Sequence, residues 1–152
     1  MKKILIYGIG NPSRQDDSLG PQFIEKFDIW ISKQNFPLEI ETTANYQLNI
    51  EDADLISQKD LVIFIDATKT DITNFEFSSL MPRQNISEYT THSLNPEQIL
   101  NLCQKLYKNY PETYMLQIKG YSWTLGEKIS EKASRNLDDA VSYFKNWLNK
   151  LT

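Results

Sequence analysis

The stretch "DLVIFIDA", residues 60–67, constrains the fold more than any other part of the chain. Leu61 to Ile65 is apolar without a break. A strand made from it has no polar face to turn to water, so it must lie inside a sheet covered on both sides. Ile4 to Ile9, in "MKKILIYGIG", reads the same way. Its basic start followed by an apolar run has the look of a secretion signal. The run is short and β-branched, and it ends in Gly-x-Gly-Asn instead of a small-residue cleavage site, so it reads as a strand.

Helical patterns fall between the strands. In "LGPQFIEKFDIWISK", Pro21 suits a first turn, and Phe23, Ile24, Phe27 and Ile31 form one stripe. "PLEIETT" reads as a strand, and "YQLNIEDADLISQ" as a helix with Leu48, Ala53 and Ile56 inward. "FEFSSL" reads as a strand, within a segment from about Asp71 to Asn95 that predicts a hairpin or a long loop. "NPEQILNLCQKLYK" carries strong start signals: Asn95 as cap, Pro96 at the first position and Gln98 where a capping box closes. Tyr114 to Ile118 predicts a further strand. Ser130 to Leu151 predicts a last helix, with Leu137, Ala140, Val141, Phe144, Trp147, Leu148 and Leu151 on its apolar face. This alternation predicts an α/β chain: a single domain over residues 1–152, three-layer α/β/α, with a twisted, mostly parallel sheet of about five strands flanked by helices.

Composition narrows the partners. The length of 152 residues fits one domain with a real core. The net charge of −4 and the lack of a basic run argue against nucleic acid or an acidic membrane as partner. No run approaches the ~18 apolar residues of a membrane span. Cys103 is the only cysteine, so neither an internal disulfide nor a cysteine metal cluster can form, and a reducing cytoplasm is the simplest home. It falls mid-helix beside Ile99, Leu102 and Leu106, a core position and not that of a nucleophile. Short length and no obvious apolar surface run favour a monomer.

Ligands of open α/β sheets bind beyond the carboxyl ends of the strands. Three residues are candidates for that rim. Asp17 follows the first strand after a tight turn, Asp66 ends "LVIFIDA", and His92, the only histidine, lies just before the capped helix. Two carboxylates and a neutral imidazole cancel a divalent charge and leave coordination positions open. Nickel, zinc, manganese or iron accept the imidazole, whereas calcium and magnesium prefer more oxygens. Each residue also has a plainer reading: Asp16 and Asp17 as turn formers or caps, Asp66 as a cap, and His92 as a loop residue. For one of the paired acids the plainer reading is preferred: Asp16 supports the turn or tunes its neighbour, since two nearby acids raise one another's pKa. "GIGNPS" begins like a dinucleotide-binding turn. Ser13 stands where the third glycine belongs and Pro12 removes an N–H, so NAD is set aside.

"GIGNPSRQDDSLGP", "YQLNIEDADLISQKDLVIFIDA" and "THSLNPEQIL", in this order and spacing, resemble the [NiFe]-hydrogenase maturation proteases over nearly the whole chain. "QLNIE" is most similar to the branch serving bidirectional hydrogenases. The resemblance implies an endopeptidase that removes a C-terminal extension from the hydrogenase large-subunit precursor after nickel insertion. It puts the family's metal-contacting residues on Asp17, Asp66 and His92, with Asp17 or Asp66 as base. It implies nickel carried by the substrate, and leaves room for another divalent cation in the resting enzyme.

The chain departs from the family pattern in two places. Ser18 stands where a glycine is usual, which predicts a small change with Ser18 as a helix cap. An acid common after the second strand is missing from "ETTANY", with Glu41 as a stand-in. The late "LGEKISEKA", around Gly126 and Ser130, loosely echoes another family segment. Two rivals remain: a non-catalytic, metal-dependent escort of the large subunit, and a flavodoxin-like redox domain.

Overall fold

The computed structural model describes residues 1–83 and 94–152. Its sheet has the order β2-β1-β3-β5-β4, built from β1 (Lys2–Ile9), β2 (Leu38–Asn45), β3 (Leu61–Thr68), β4 (Phe75–Leu80) and β5 (Glu112–Lys119). The run Leu61–Ile65 therefore forms the middle strand, and all five of its residues are fully buried. β1 pairs in parallel with β2 and with β3, and β3 with β5. β4 runs antiparallel to β5 at one edge. The helices are α1 (Leu19–Ile31), α2 (Asp52–Ser57), α3 (Pro96–Tyr107) and α4 (Glu131–Lys150).

Alternation along the inner strands sends side chains to two separate cores. Ile4, Ile6, Ile63 and Ile65 pack with Phe23 and Phe27 of α1 and with Leu137 and Phe144 of α4. Leu5, Tyr7, Val62 and Phe64 pack on the other face with Ala53 and Ile56 of α2 and with Ile99 and Cys103 of α3. The expected three-layer α/β/α class is the observed one. Asn95 closes the predicted capping box: its Oδ1 accepts from Gln98 N at 2.8 Å, and Gln98 Oε1 accepts from Asn95 N at 2.8 Å.

Some expectations need correction. The segment "YQLNIEDADLISQ" is helical only over Asp52–Ser57. Leu48 is buried by an antiparallel bridge to Leu94 instead of by a helix turn. Leu106 is 58% exposed and Leu151 37%, so the apolar faces of α3 and α4 stop short of their ends. Cys103 is buried as expected, and its Sγ lies 3.4 Å from Ala53 O. No helix among the described residues is long and apolar enough to cross a membrane.

Candidate functional site

At the carboxyl ends of the strands, β1 leads outward to β2 on one side, while β3 leads to β5 and β4 on the other. The crevice between β1 and β3 is thus the switch point where open α/β sheets bind ligands. β1 pairs with β3 only as far as Gly8 with Ile65. β3 continues, with Asp66 opposite Gln117 of β5, so the Asp66 side chain comes just where the pairing with β1 has ended.

Two glycines bring the first loop onto that crevice. Gly10 has φ +144°, and a Cβ there would lie 1.9 Å from Asp17 O. The chain then makes a 3-10 turn over Gln15–Ser18 and enters α1. A Cβ on Gly20 would lie 2.3 Å from Ile9 O and 2.8 Å from Ile65 O, so the first turn of α1 rests directly on the ends of β1 and β3. This close approach brings Asp17 and Asp66 together.

The two carboxylates share two adjoining clefts. One, of about 340 Å³, is also lined by Tyr46, Leu48, Leu94 and Asn95. The other, of about 430 Å³, is also lined by Arg14, Lys69 and Trp123. Asn11 N donates to Asp17 Oδ2 at 3.0 Å. Burial, reinforced by the charge of Asp17, pushes the Asp66 carboxyl up to about 7, against one opposing backbone hydrogen bond from Ala67. In the core beneath this end of the sheet, buried Tyr7 donates to Asp52 Oδ2 at 2.7 Å and accepts from Asn45 Nδ2 at 3.0 Å. That network ties the end of β2 to the start of α2. Burial and then the bond to Asp52 raise the Tyr7 phenol, so it stays a donor.

The paired acids face opposite ways. Asp16 is completely buried. Its Oδ2 accepts from Tyr121 N at 2.7 Å, Ser122 N at 3.0 Å and Ser130 Oγ at 2.7 Å, and its Oδ1 accepts from Ser130 N at 2.7 Å. Burial alone would raise its pKa, but the bonds from Ser130, Tyr121 and Ser122 outweigh that and hold it below the usual carboxylate value. The expected raising is therefore corrected for Asp16, which is lowered; a carboxyl that is raised is Asp66. Asp16 stitches the first loop to the loop between β5 and α4. Ser130 also caps α4, its Oγ accepting from Ala133 N at 3.3 Å.

His92 lies outside the described residues. Among the described residues no group of three His, Cys, Asp or Glu side chains converges as a metal site. The described chain resumes at Leu94, two residues after His92, and Leu94 lines the cleft that holds Asp17 and Asp66. Ser18 stands at the N-cap position before α1 but makes no capping bond, contrary to expectation. Its hydroxyl donates to Gln15 O at 2.6 Å and accepts from Gln22 Nε2 at 2.6 Å, which braces a turn where Gln15 has φ +35°. Glu41 is no stand-in for the missing acid. It pairs with Leu5, four residues before the rim end of β2, and its carboxylate bonds Lys59 at 3.0 Å. Sequence reasoning also missed Arg14, Lys69 and Trp123, because their convergence depends on three loops, each more than fifty residues from the next.

No family model and no curated protein matches this sequence. Solved structures do match it in fold. The [NiFe] hydrogenase maturation protease HycI from Thermococcus kodakarensis KOD1 aligns with a TM-score of 0.71 and 22% identity, over 97% of this chain and 93% of that one. The hydrogenase maturating endopeptidase HybD from E. coli aligns with a TM-score of 0.73 and 16% identity, over 99% and 93%. The hydrogenase 2 maturation peptidase from Thaumarchaeota archaeon SCGC_AB-539-E09 gives 0.65 and 18%, over 97% and 98%. The chain thus has the fold of the hydrogenase maturation proteases over almost its whole length.

Proposed function

We propose that the protein is an endopeptidase of hydrogenase maturation, which removes the C-terminal extension of a [NiFe]-hydrogenase large-subunit precursor after nickel insertion. The observation that carries this reading is the shared cleft of Asp17 and Asp66 at the β1/β3 switch point. The likeness of fold to a [NiFe] hydrogenase maturation protease and to a hydrogenase maturating endopeptidase supports it.

In this reading nickel arrives as part of the substrate, and Asp17, Asp66 and His92 engage it. Two carboxylates and an imidazole offer the donor set that such an ion accepts. Without a cation, Asp17 and Asp66 repel one another, which is one cause of the raised Asp66 pKa. A divalent ion removes that repulsion, so the site favours a loaded precursor over an empty one. Docking sets the scissile carbonyl beside the carboxylates, where the ion polarises the carbonyl or the attacking water. Water adds to the carbonyl carbon, a carboxylate takes its proton, the C–N bond breaks and the departing amine is protonated. The protein acts as a monomer in the cytoplasm, with no resident metal required.

The test is processing of nickel-loaded precursor, followed by mass spectrometry, with Asp17→Asn, Asp66→Asn and His92→Ala. Each variant is expected to fold and to lose at least about a hundredfold in rate. Undiminished cutting by Asp66→Asn would refute the reading. A wild-type protein that binds the loaded precursor without shortening it would make the chain an escort.

A further inference from the structure

The larger of the two clefts has a second wall of opposite charge. Arg14 and Lys69 line it beside Asp17 and Asp66, with Trp123 between them. Lys69 Nζ stands 4.9 Å from the centre of the Trp123 ring, and Arg14 Nη1 donates to Trp123 O at 3.4 Å. Neither cation forms an ion pair among the described residues. Both are held on braced backbone. Lys119 Nζ donates to Lys69 O at 2.9 Å and to Thr70 O at 2.6 Å, and Gly120 N donates to Thr68 O at 3.0 Å. The Arg14 loop is fixed by its bridge to Leu125 and by Gly126 N, which donates to Ser13 O at 2.8 Å.

We infer that Arg14 and Lys69 form an anion-recognising subsite, which binds a carboxylate side chain of the peptide being cut. The inference rests on the endopeptidase reading and adds a determinant of substrate choice. A cleft lined by two acids and by two cations that form no ion pair among the described residues fits a ligand that brings a cation to the first and an anion to the second. Guanidinium and ammonium groups bind carboxylates through charge-assisted hydrogen bonds. The chain runs extended from Asp66 to Lys69, a span of about 10 Å, or roughly three residues of an extended substrate. The recognised acid therefore lies within about five residues of the cleaved bond once side-chain reach is added. Both cations are exposed, which suits ground-state anchoring and not the fixed geometry that stabilisation of a developing oxyanion requires.

The experiment is steady-state processing of nickel-loaded precursor by wild type, Lys69→Met, Arg14→Gln and Lys69→Arg, paired with precursors whose acids near the cut are changed singly to amides. Lys69→Met and Arg14→Gln are expected to raise KM about tenfold and leave kcat within about twofold, while Lys69→Arg keeps most of the affinity. One amide precursor is expected to cause the same loss with wild type and no further loss with Lys69→Met. Unchanged KM in both charge-removing variants, a loss confined to kcat, or a precursor with no carboxylate in that window would overturn the subsite. Titration of the same precursors into each protein reads the subsite without cleavage. Charge-dependent affinity in a wild type that never cuts would sink the endopeptidase reading alone, and charge-independent affinity would sink the subsite.

Discussion

Replacing Asp66 by Asn should make the metal-free protein more stable, and increasingly so as the pH rises. The Asp66 carboxyl has a pKa of about 7 in the folded protein against 3.8 for the free side chain, because burial and the neighbouring Asp17 charge disfavour its anion. Below the lower value both folded and unfolded chains are protonated there, and no penalty exists. Between the two, the folded protein keeps a proton that the unfolded chain releases, so stability falls as the pH rises. Above about 7 the penalty is complete, at ~1.4 kcal/mol per unit over roughly three units, or up to about 4 kcal/mol. Asn carries no charge and escapes it. Urea unfolding with chelator present should show the two proteins within about 0.5 kcal/mol of one another near pH 4, and Asn ahead by about 2–4 kcal/mol near pH 8. A gap that stays constant with pH, or an Asn variant weaker than wild type at the alkaline end, would refute the account of why Asp66 is raised.

Other perturbations test the frame around the carboxylates. Asp16→Ala strands three backbone N–H donors and the Ser130 hydroxyl, and should cost about 3–5 kcal/mol in chemical unfolding. Because the Asp16 pKa is lowered, that contribution is present above about pH 4 and fades as the pH falls through the folded value, so wild type should lose its advantage over the Ala variant in acid. Gly20→Ala puts a methyl group against Ile9 O and Ile65 O and must push α1 off the strand ends; a loss of about 3 kcal/mol or more, together with loss of precursor processing, is expected. Cys103 is buried, and burial raises its thiol to about 11, so thiol reagents should modify it only at the rate of unfolding.

Much of this architecture was legible because burial writes simple patterns. The unbroken Leu61–Ile65 run forced a central strand, and the Asn95, Pro96 and Gln98 pattern forced a capped helix start. Asp17 and Asp66 could be placed at one rim because both follow apolar strands, and sheet order brings them to the same clefts. The division of labour between Asp16 and Asp17 was not legible in detail. Two adjacent acids look alike in a sequence, and only the approach of Tyr121, Ser122 and Ser130 separates the buried one from the one in the cleft. Glu41 misled because a strand residue's height above the rim depends on register, and register with β1 lowers it by four residues. The cationic wall stayed hidden for a related reason: Arg14, Lys69 and Trp123 belong to separate loops with no shared periodicity.

The central claim is that Asp17 and Asp66 converge on a divalent ion brought in by the substrate. Its most direct test is to mix the protein with nickel-loaded and with nickel-free large-subunit precursor and follow the mass of the product. The account predicts a shortened product from the loaded precursor only. Shortening of both at the same rate would contradict it.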